Sequence, residues 1–520
     1  MELKTYEELR GLIKDEDVVA FTPFTTAGLP MEFMANLIEE HQETGQPNNL
    51  TIMSSNNLSD YAGRVGIDQM VAEGMVKTFL TNILTTSKQT QKAIENNEIE
   101  AYTIPQGVMA THYRLASDKT PGVLTKIGLH THLDPRLGGG KANEVTTKNL
   151  VHLVEVNGEE YLHYDLPKPD VLVLRATYAD EYGNIYMTQE NYLGEGFSAA
   201  VAVKNNGGKT VVQVKDIIEN HSKNPKEVFI PAELVDYVVL NEDESLHKQL
   251  PQTNYDPKLS GEIHVLEPQF IDLPFGVKKV ILRRASQFLR KDNVVSIGFG
   301  ISNGTSKLLY EENVEDLVQL NMDLGMMGGF QGSRETMGMN YNSSAVIRHD
   351  MSWDFIYNKG IDIALLSFAE VDENGNVNVS LLGNKVNGIG GFIDISQSVK
   401  RLVFSGKMMI NDKTSIKDGQ LEIEEESNQS KFVKKVKHID FNGKYAKELG
   451  QEAYFVTDRA VFKLIEDGIM LIEVARGVDL QKDVLDHMAF EPLIADEIGI
   501  MDEAIYQETW GGLKDSLTKE

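Results

Sequence analysis

Residues 170–186 read DVLVLRATYADEYGNIY, and residues 362–379 read DIALLSFAEVDENGNVNV. Both stretches predict the same local path: an apolar run short enough for a buried strand, a polar segment holding an Asp, a Gly-Asn turn, then a short alternating strand. The copies stay in step beyond their ends. From Asn184 to Val211 in GKTVVQV is 27 residues, and from Asn376 to Val403 in VKRLVFS is also 27. Upstream, KDEDVVAF at 14–21 and KDNVVSIG at 291–298 each follow a segment with helical apolar spacing, Leu9, Leu12 and Ile13 in one and Ile281, Ala285, Phe288 and Leu289 in the other. Two matches in the same order at a shared spacing predict a duplicated chain.

The duplication divides the 520 residues into halves spanning 1–240 and 276–520. The segment 241–275 between them is charged and turn-rich with little periodicity, which predicts a linker crossing the surface. Elsewhere amphipathic helical patterns alternate with short Val- and Ile-rich runs, the signature of an α/β fold: two homologous open α/β domains with mostly parallel sheets. Ligands of such sheets collect beyond the carboxyl ends of the strands, so a site shared between the halves is expected there.

Composition narrows the chemistry. The chain has no cysteine, which excludes disulfides, thiolate nucleophiles and cysteine-ligated metals. Its 78 acidic and 50 basic side chains give a formal charge of −28 and no basic patch, arguing against nucleic acid as a partner. No run of 18 apolar residues suggests a membrane span, and the amphipathic start is unlike a signal peptide, so a cytoplasmic location is expected.

Four loops could carry chemistry. In VVSIGFGISNG (294–304), Gly298, Gly300 and Gly304 end a strand before a helix, and Asp323 follows 19 residues after Gly304, a spacing close to a dinucleotide fingerprint or a plain strand–helix turn. GLHTHLDPRLGGGKAN (128–143) offers His130, His132 and Asp134 as metal ligands, although no second histidine pair completes a site. Its glycines with Lys141 could instead close on an anion, or form a solvated loop. NGIGGFIDIS (387–396) places Gly388, Gly390 and Gly391 before an apolar element, either as amide donors to an oxyanion or as a tight turn. In YTIPQGVMATHYR (102–114), Gln106 and Gly107 open a helix where a substrate carbonyl could sit.

Taken with DVLVLRATYADEYGNI (170–185), DIALLSFAEVDENGNVNVS (362–380) and LIEVARGVDLQKDVLDHMAF (471–490), the motifs IPQGV (104–108), DPRLGGGKAN (134–143) and NGIGGFIDISQS (387–398) resemble the single-chain family I CoA-transferases, of the acetate, propionate and 3-ketoacid type. The resemblance covers nearly the whole chain and displaces the dinucleotide and metal readings. It implies ping-pong transfer of CoA from a short-chain acyl-CoA to a carboxylic acid, acetate or a 3-ketoacid, through an enzyme carboxylate–CoA thioester. No metal or resident cofactor is implied; coenzyme A is substrate and covalent intermediate. It further implies oxyanion donors at Gly390 and Gly391 with help from Gln106, CoA contacts at Gly298, Gly300, Gly388 and Lys407, and a homodimer or homotetramer.

The family's nucleophile is a glutamate two residues before a glycine and shortly before a Gly-Gly pair. Here N-M-D-L-G-M-M-G-G puts Asp323 at that place, with Gly325, Gly328 and Gly329 following. The carboxylate is kept but set back by about 1.3–1.5 Å, a displacement large enough to matter for attack geometry. Hydrolysis of acyl-CoA with Asp323 as general base, or acyl-CoA binding without turnover, are the alternatives, and Glu335 is a fallback nucleophile.

Overall fold

The computed structural model describes residues 1–60, 62–116, 119–266, 273–332, 336 and 338–519. Glu335 lies outside the described residues. Two large sheets organise the chain. The first orders its strands as Glu2–Lys4, Tyr237–Leu240, Lys209–Ile218, Val171–Asp180, Val18–Phe21, Leu50–Ser54, Val76–Thr81 and Glu100–Thr103, all parallel, with Ile185–Tyr186 added antiparallel. The second has a parallel centre, Gln319–Met322, Val294–Ile297, Ile363–Ser367, Arg401–Ser405 and Glu452–Val456, flanked by antiparallel pairs. Among the described residues no helix is long and apolar enough to cross a membrane.

The repeat seen in the sequence recurs as register. Val211 pairs with Val173 in the first sheet, and Val403 with Leu365 in the second. Val19 pairs with Val171, and Val295 with Ile363. Side chains repeat too. The Val18 N–H donates to the Asp170 carboxylate at 2.9 Å, and the Val294 N–H to Asp362 at 2.8 Å. The Asp180 carboxylate accepts the N–H groups of Gly183 and Asn184, as Asp372 accepts those of Asn374 and Asn376, so one carboxylate closes the Gly-Asn turn in each half.

Both faces of each sheet are covered, as a parallel sheet requires. Met34, Leu37, Ile52 and Phe79 pack on one side of the first sheet, and Leu172, Val203, Val212 and Val238 on the other. Each such side chain contributes about 1.5–3 kcal/mol by leaving water. The segment between the halves does more than cross a surface: Leu250 and Leu259 are buried with Phe24 of the first half and Met322, Leu324 and Phe330 of the second. Its apolar residues are too widely spaced to signal this packing.

Three helices position the centre of the molecule. Helix α1 (Gln106–Leu115) starts directly after Pro105, which cannot continue the strand ladder. Helix α2 (His349–Tyr357) follows an extended Arg348, and helix α3 (Phe392–Ser398) begins at Gly391. Trp353 of α2 is fully buried and packs with Ala110 of α1 and Ile393 of α3 in one core. The three helices thereby join the halves.

Candidate active site

Where the halves meet there is a cavity of about 310 Å³. Six of the residues singled out in the sequence line it: Gln106, Gly298, Asp323, Gly388, Gly390 and Gly391. Apolar side chains, among them Phe24, Ile83, Phe299, Leu366 and Phe368, supply most of the remaining wall. Gly300 lies just behind, held close to Ser367, so that a Cβ there would come within 2.5 Å of the Ser367 hydroxyl.

Asp323 follows the strand Gln319–Met322 and faces Gly391 across the cavity. A methyl on Gly391 would lie 2.6 Å from Oδ2 of Asp323, 2.7 Å from the Trp353 ring and 3.2 Å from Oε1 of Gln106. Only glycine allows this approach. Burial pushes the Asp323 carboxyl above the usual range, opposed by the N–H groups of Leu324 and Asp323 itself.

The glycine loop is strapped to the first half. Asn82 accepts the N–H groups of Ile389 at 2.7 Å and Gly390 at 3.0 Å, and the Leu84 N–H donates to Asn387 at 2.9 Å. The Gly390 N–H is therefore committed, which corrects the expectation that both glycines face an oxyanion. The Gly391 N–H makes no hydrogen bond among the described residues and remains the donor of the pair.

Gln106 is in place but turned. The Trp353 indole, which can only donate, gives its N–H to Nε2 of His349 at 2.9 Å, so that nitrogen carries the lone pair. His349 Nδ1 accordingly donates to Glu195 at 2.9 Å. The Gln106 amide nitrogen lies 2.9 Å from the same His349 Nε2 and 2.8 Å from Oδ1 of Asn56, leaving Oε1 toward Gly391. Gln106 thus offers an acceptor rather than the expected donor.

Other expected residues lie elsewhere. The Lys407 ammonium binds the Asp412 carboxylate and, at 3.1 Å, its carbonyl, away from the cavity wall. Lys141 binds Thr147 and Asn149, and Arg136 binds Asp134 and Glu160, so neither cation faces the cavity. His130 packs against Tyr445, parting from His132. His132 instead meets His438 and Asp440, with donor atoms within 4.8 Å of one another. The two rings stack at 4.9 Å and 11°, and Asp440 already accepts the N–H groups of Val379 and Ser380 and the Ser380 hydroxyl. Burial holds His438 down at about 4. The cluster is built as a brace between the halves.

Comparison with known proteins agrees with this geometry. The Coenzyme A transferase family profile matches residues 4–241. The chain is 38% identical over 518 residues to the caffeate CoA-transferase of Acetobacterium woodii, covering 99% of both chains. The chain belongs to the coenzyme A transferase family. It is also 39% identical over 472 residues to the acetate CoA-transferase YdiF of Escherichia coli O157:H7, covering 90% of this chain and 88% of that one. The YdiF apoenzyme crystal structure superposes with a TM-score of 0.91 over 98% of this chain and 97% of that one, at 37% identity. A YdiF thioester complex with CoA matches equally well, at 36% identity. This transferase is therefore an enzyme of two α/β sheets that takes CoA as a substrate.

Sequence reasoning missed Asn56, Asn82, Glu195 and His349. His349 and Trp353 stand four residues apart in HDMSWDF, one helical face. That spacing is a signal of contact, but one indistinguishable from core packing.

Proposed function

We propose that this transferase moves CoA from a short-chain acyl-CoA to a carboxylic acid, with Asp323 as nucleophile. The observation that carries the reading is the approach of Asp323 Oδ2 to Gly391 on the wall of an apolar cavity between the halves. An Asp323 oxygen attacks the thioester carbonyl, the oxyanion is held by the Gly391 N–H, and the CoA thiolate leaves an acyl–aspartyl anhydride. The thiolate then attacks the Asp323 carbonyl carbon and expels the first carboxylate. A second carboxylate reverses both steps, so no proton or electron is gained or lost. Gly298, Gly300 and Gly388 receive part of the CoA. Lys407 reaches a phosphate only by exchanging Asp412.

The same reading assigns the halves to 1–240 and 276–520, places the enzyme in the cytoplasm in short-chain fatty-acid or ketone-body metabolism, and makes it a homodimer or homotetramer. The names of the relatives support acetate and caffeate as acceptors to try, with acetoacetate beside them. Incubation with acyl-CoA, then borohydride and peptide mass analysis, is expected to show Asp323 reduced to the alcohol, together with CoA exchange to at least one acid. Free CoA released without an acceptor would favour hydrolysis; tight binding with no label and no turnover would reject the reading.

A further inference from the structure

Asp394 lies outside the cavity wall, yet it touches every helix that supports it. Its Oδ1 accepts the Tyr357 hydroxyl of α2 at 2.5 Å, and its Oδ2 accepts the Gly107 N–H of α1 at 3.3 Å. Asp394 itself stands in the first turn of α3, three residues after Gly391. Gly107 follows Gln106, and its N–H is one of the donors that the start of a helix leaves without an intrahelical partner. No side chain could stand there: a Cβ on Gly107 would come within 2.1 Å of the Tyr357 oxygen and 2.7 Å of the Trp353 ring. One buried carboxylate therefore ties Gln106, the Trp353 helix and the Gly391 turn into a single unit.

We propose that Asp394 is a positioning residue for CoA transfer: as a carboxylate it clamps the start of α1 to α2 and α3, fixing Gln106 and Gly391 about Asp323, and protonation loosens the clamp. The inference rests on the reading of Asp323 as nucleophile. A carboxylate accepts at both oxygens, whereas a protonated one must turn a donor toward either the Tyr357 hydroxyl or the Gly107 N–H. The groups facing it are Tyr357 and His349 of α2, Tyr164 from the strand Glu159–Tyr164, and Asp323. Burial raises the Asp394 carboxyl to about 7, against the hydrogen bonds of Tyr357 and Gly107, with the nearby Asp323 raising it further. The change of state then falls within the working range of an ordinary enzyme. Transfer should weaken as pH falls through neutrality, because the clamp is complete only when Asp394 is ionised.

The test measures kcat and KM for acyl-CoA from about pH 5.5 to 9 in the wild type, Asp394→Asn and Tyr357→Phe, with Asp323 thioester formation followed by mass in the same samples. Asp394→Asn turns an amide donor toward Gly107 N–H or Tyr357; its kcat should fall about 10–100-fold with KM nearly unchanged, and the limb near neutrality should vanish. Tyr357→Phe removes a bond that favours the carboxylate, so its acid limb should move to higher pH. A merely structural role would lower activity in both variants without moving the limb. An unmoved limb in Tyr357→Phe, or wild-type kcat in Asp394→Asn, would overturn the clamp while leaving the nucleophile standing. Absence of a thioester on Asp323 in the wild type would instead remove the reading beneath it.

Discussion

A carboxylate one methylene shorter than a glutamate can reach its target only if the opposite wall comes to meet it. Gly391 supplies that wall, since even one added carbon would stand 2.6 Å from Asp323 Oδ2. Asp323→Glu should therefore crowd the glycine and lower kcat by about 10–100-fold, while Asp323→Asn should remove about 10⁴-fold or more. Steady-state CoA exchange measures both, and a faster Asp323→Glu enzyme would show that the loop is not fitted to the shorter side chain. Asp323 was singled out as nucleophile only through the resemblance to the family's glutamate–glycine pattern, and Gly391 through the Gly-Gly pair ahead of an apolar element; the structure brings the two together on one cavity wall. The orientation of Gln106 was not legible, because it is decided by an indole N–H far along the chain. Asp394 was hidden for another reason: an acid in a first helical turn is what any helix favours.

At the level of elements, the clearest sequence signal was the pair of Gly-Asn turns, and their shared strand register is the physical cause of the even spacing. The two carboxylates that close the turns are not equivalent. Asp180 also accepts the Tyr186 hydroxyl at 3.1 Å, whereas Asp372 also accepts the Val436 N–H at 3.3 Å, which fastens its turn to a segment distant in sequence. Asp180→Asn and Asp372→Asn should each cost about 1–3 kcal/mol. Urea unfolding measures both, and an unchanged stability in either variant would deny that carboxylate its part in closing the turn. What could not be read were the interlocking helices. Packing of α1, α2 and α3 depends on Trp353 filling one space against both halves, and apolar periodicity shows only that each helix has a buried face.

For the whole molecule the charge of −28 opposes an anionic substrate, and Lys141, Arg136 and Lys407, the cations expected to offset it, are all engaged by protein groups. An anionic acyl-CoA approaches against that field. Raising salt from about 10 to 150 mM should screen the repulsion and lower KM for acyl-CoA, the reverse of what a basic cavity mouth would give. Initial rates at the two salt concentrations decide the sign. The two-sheet architecture was legible from the repeat, but the joining segment was not, because its two buried leucines stand among charged and turn-forming residues. The cavity wall draws on residues as far apart as Phe24 and Ile395. The order of synthesis then matters: Asn56 and Gln106 leave the ribosome well before Asp323 and Gly391, and a chain cut short before residue 323 carries no carboxylate at this cavity with which to attack a thioester.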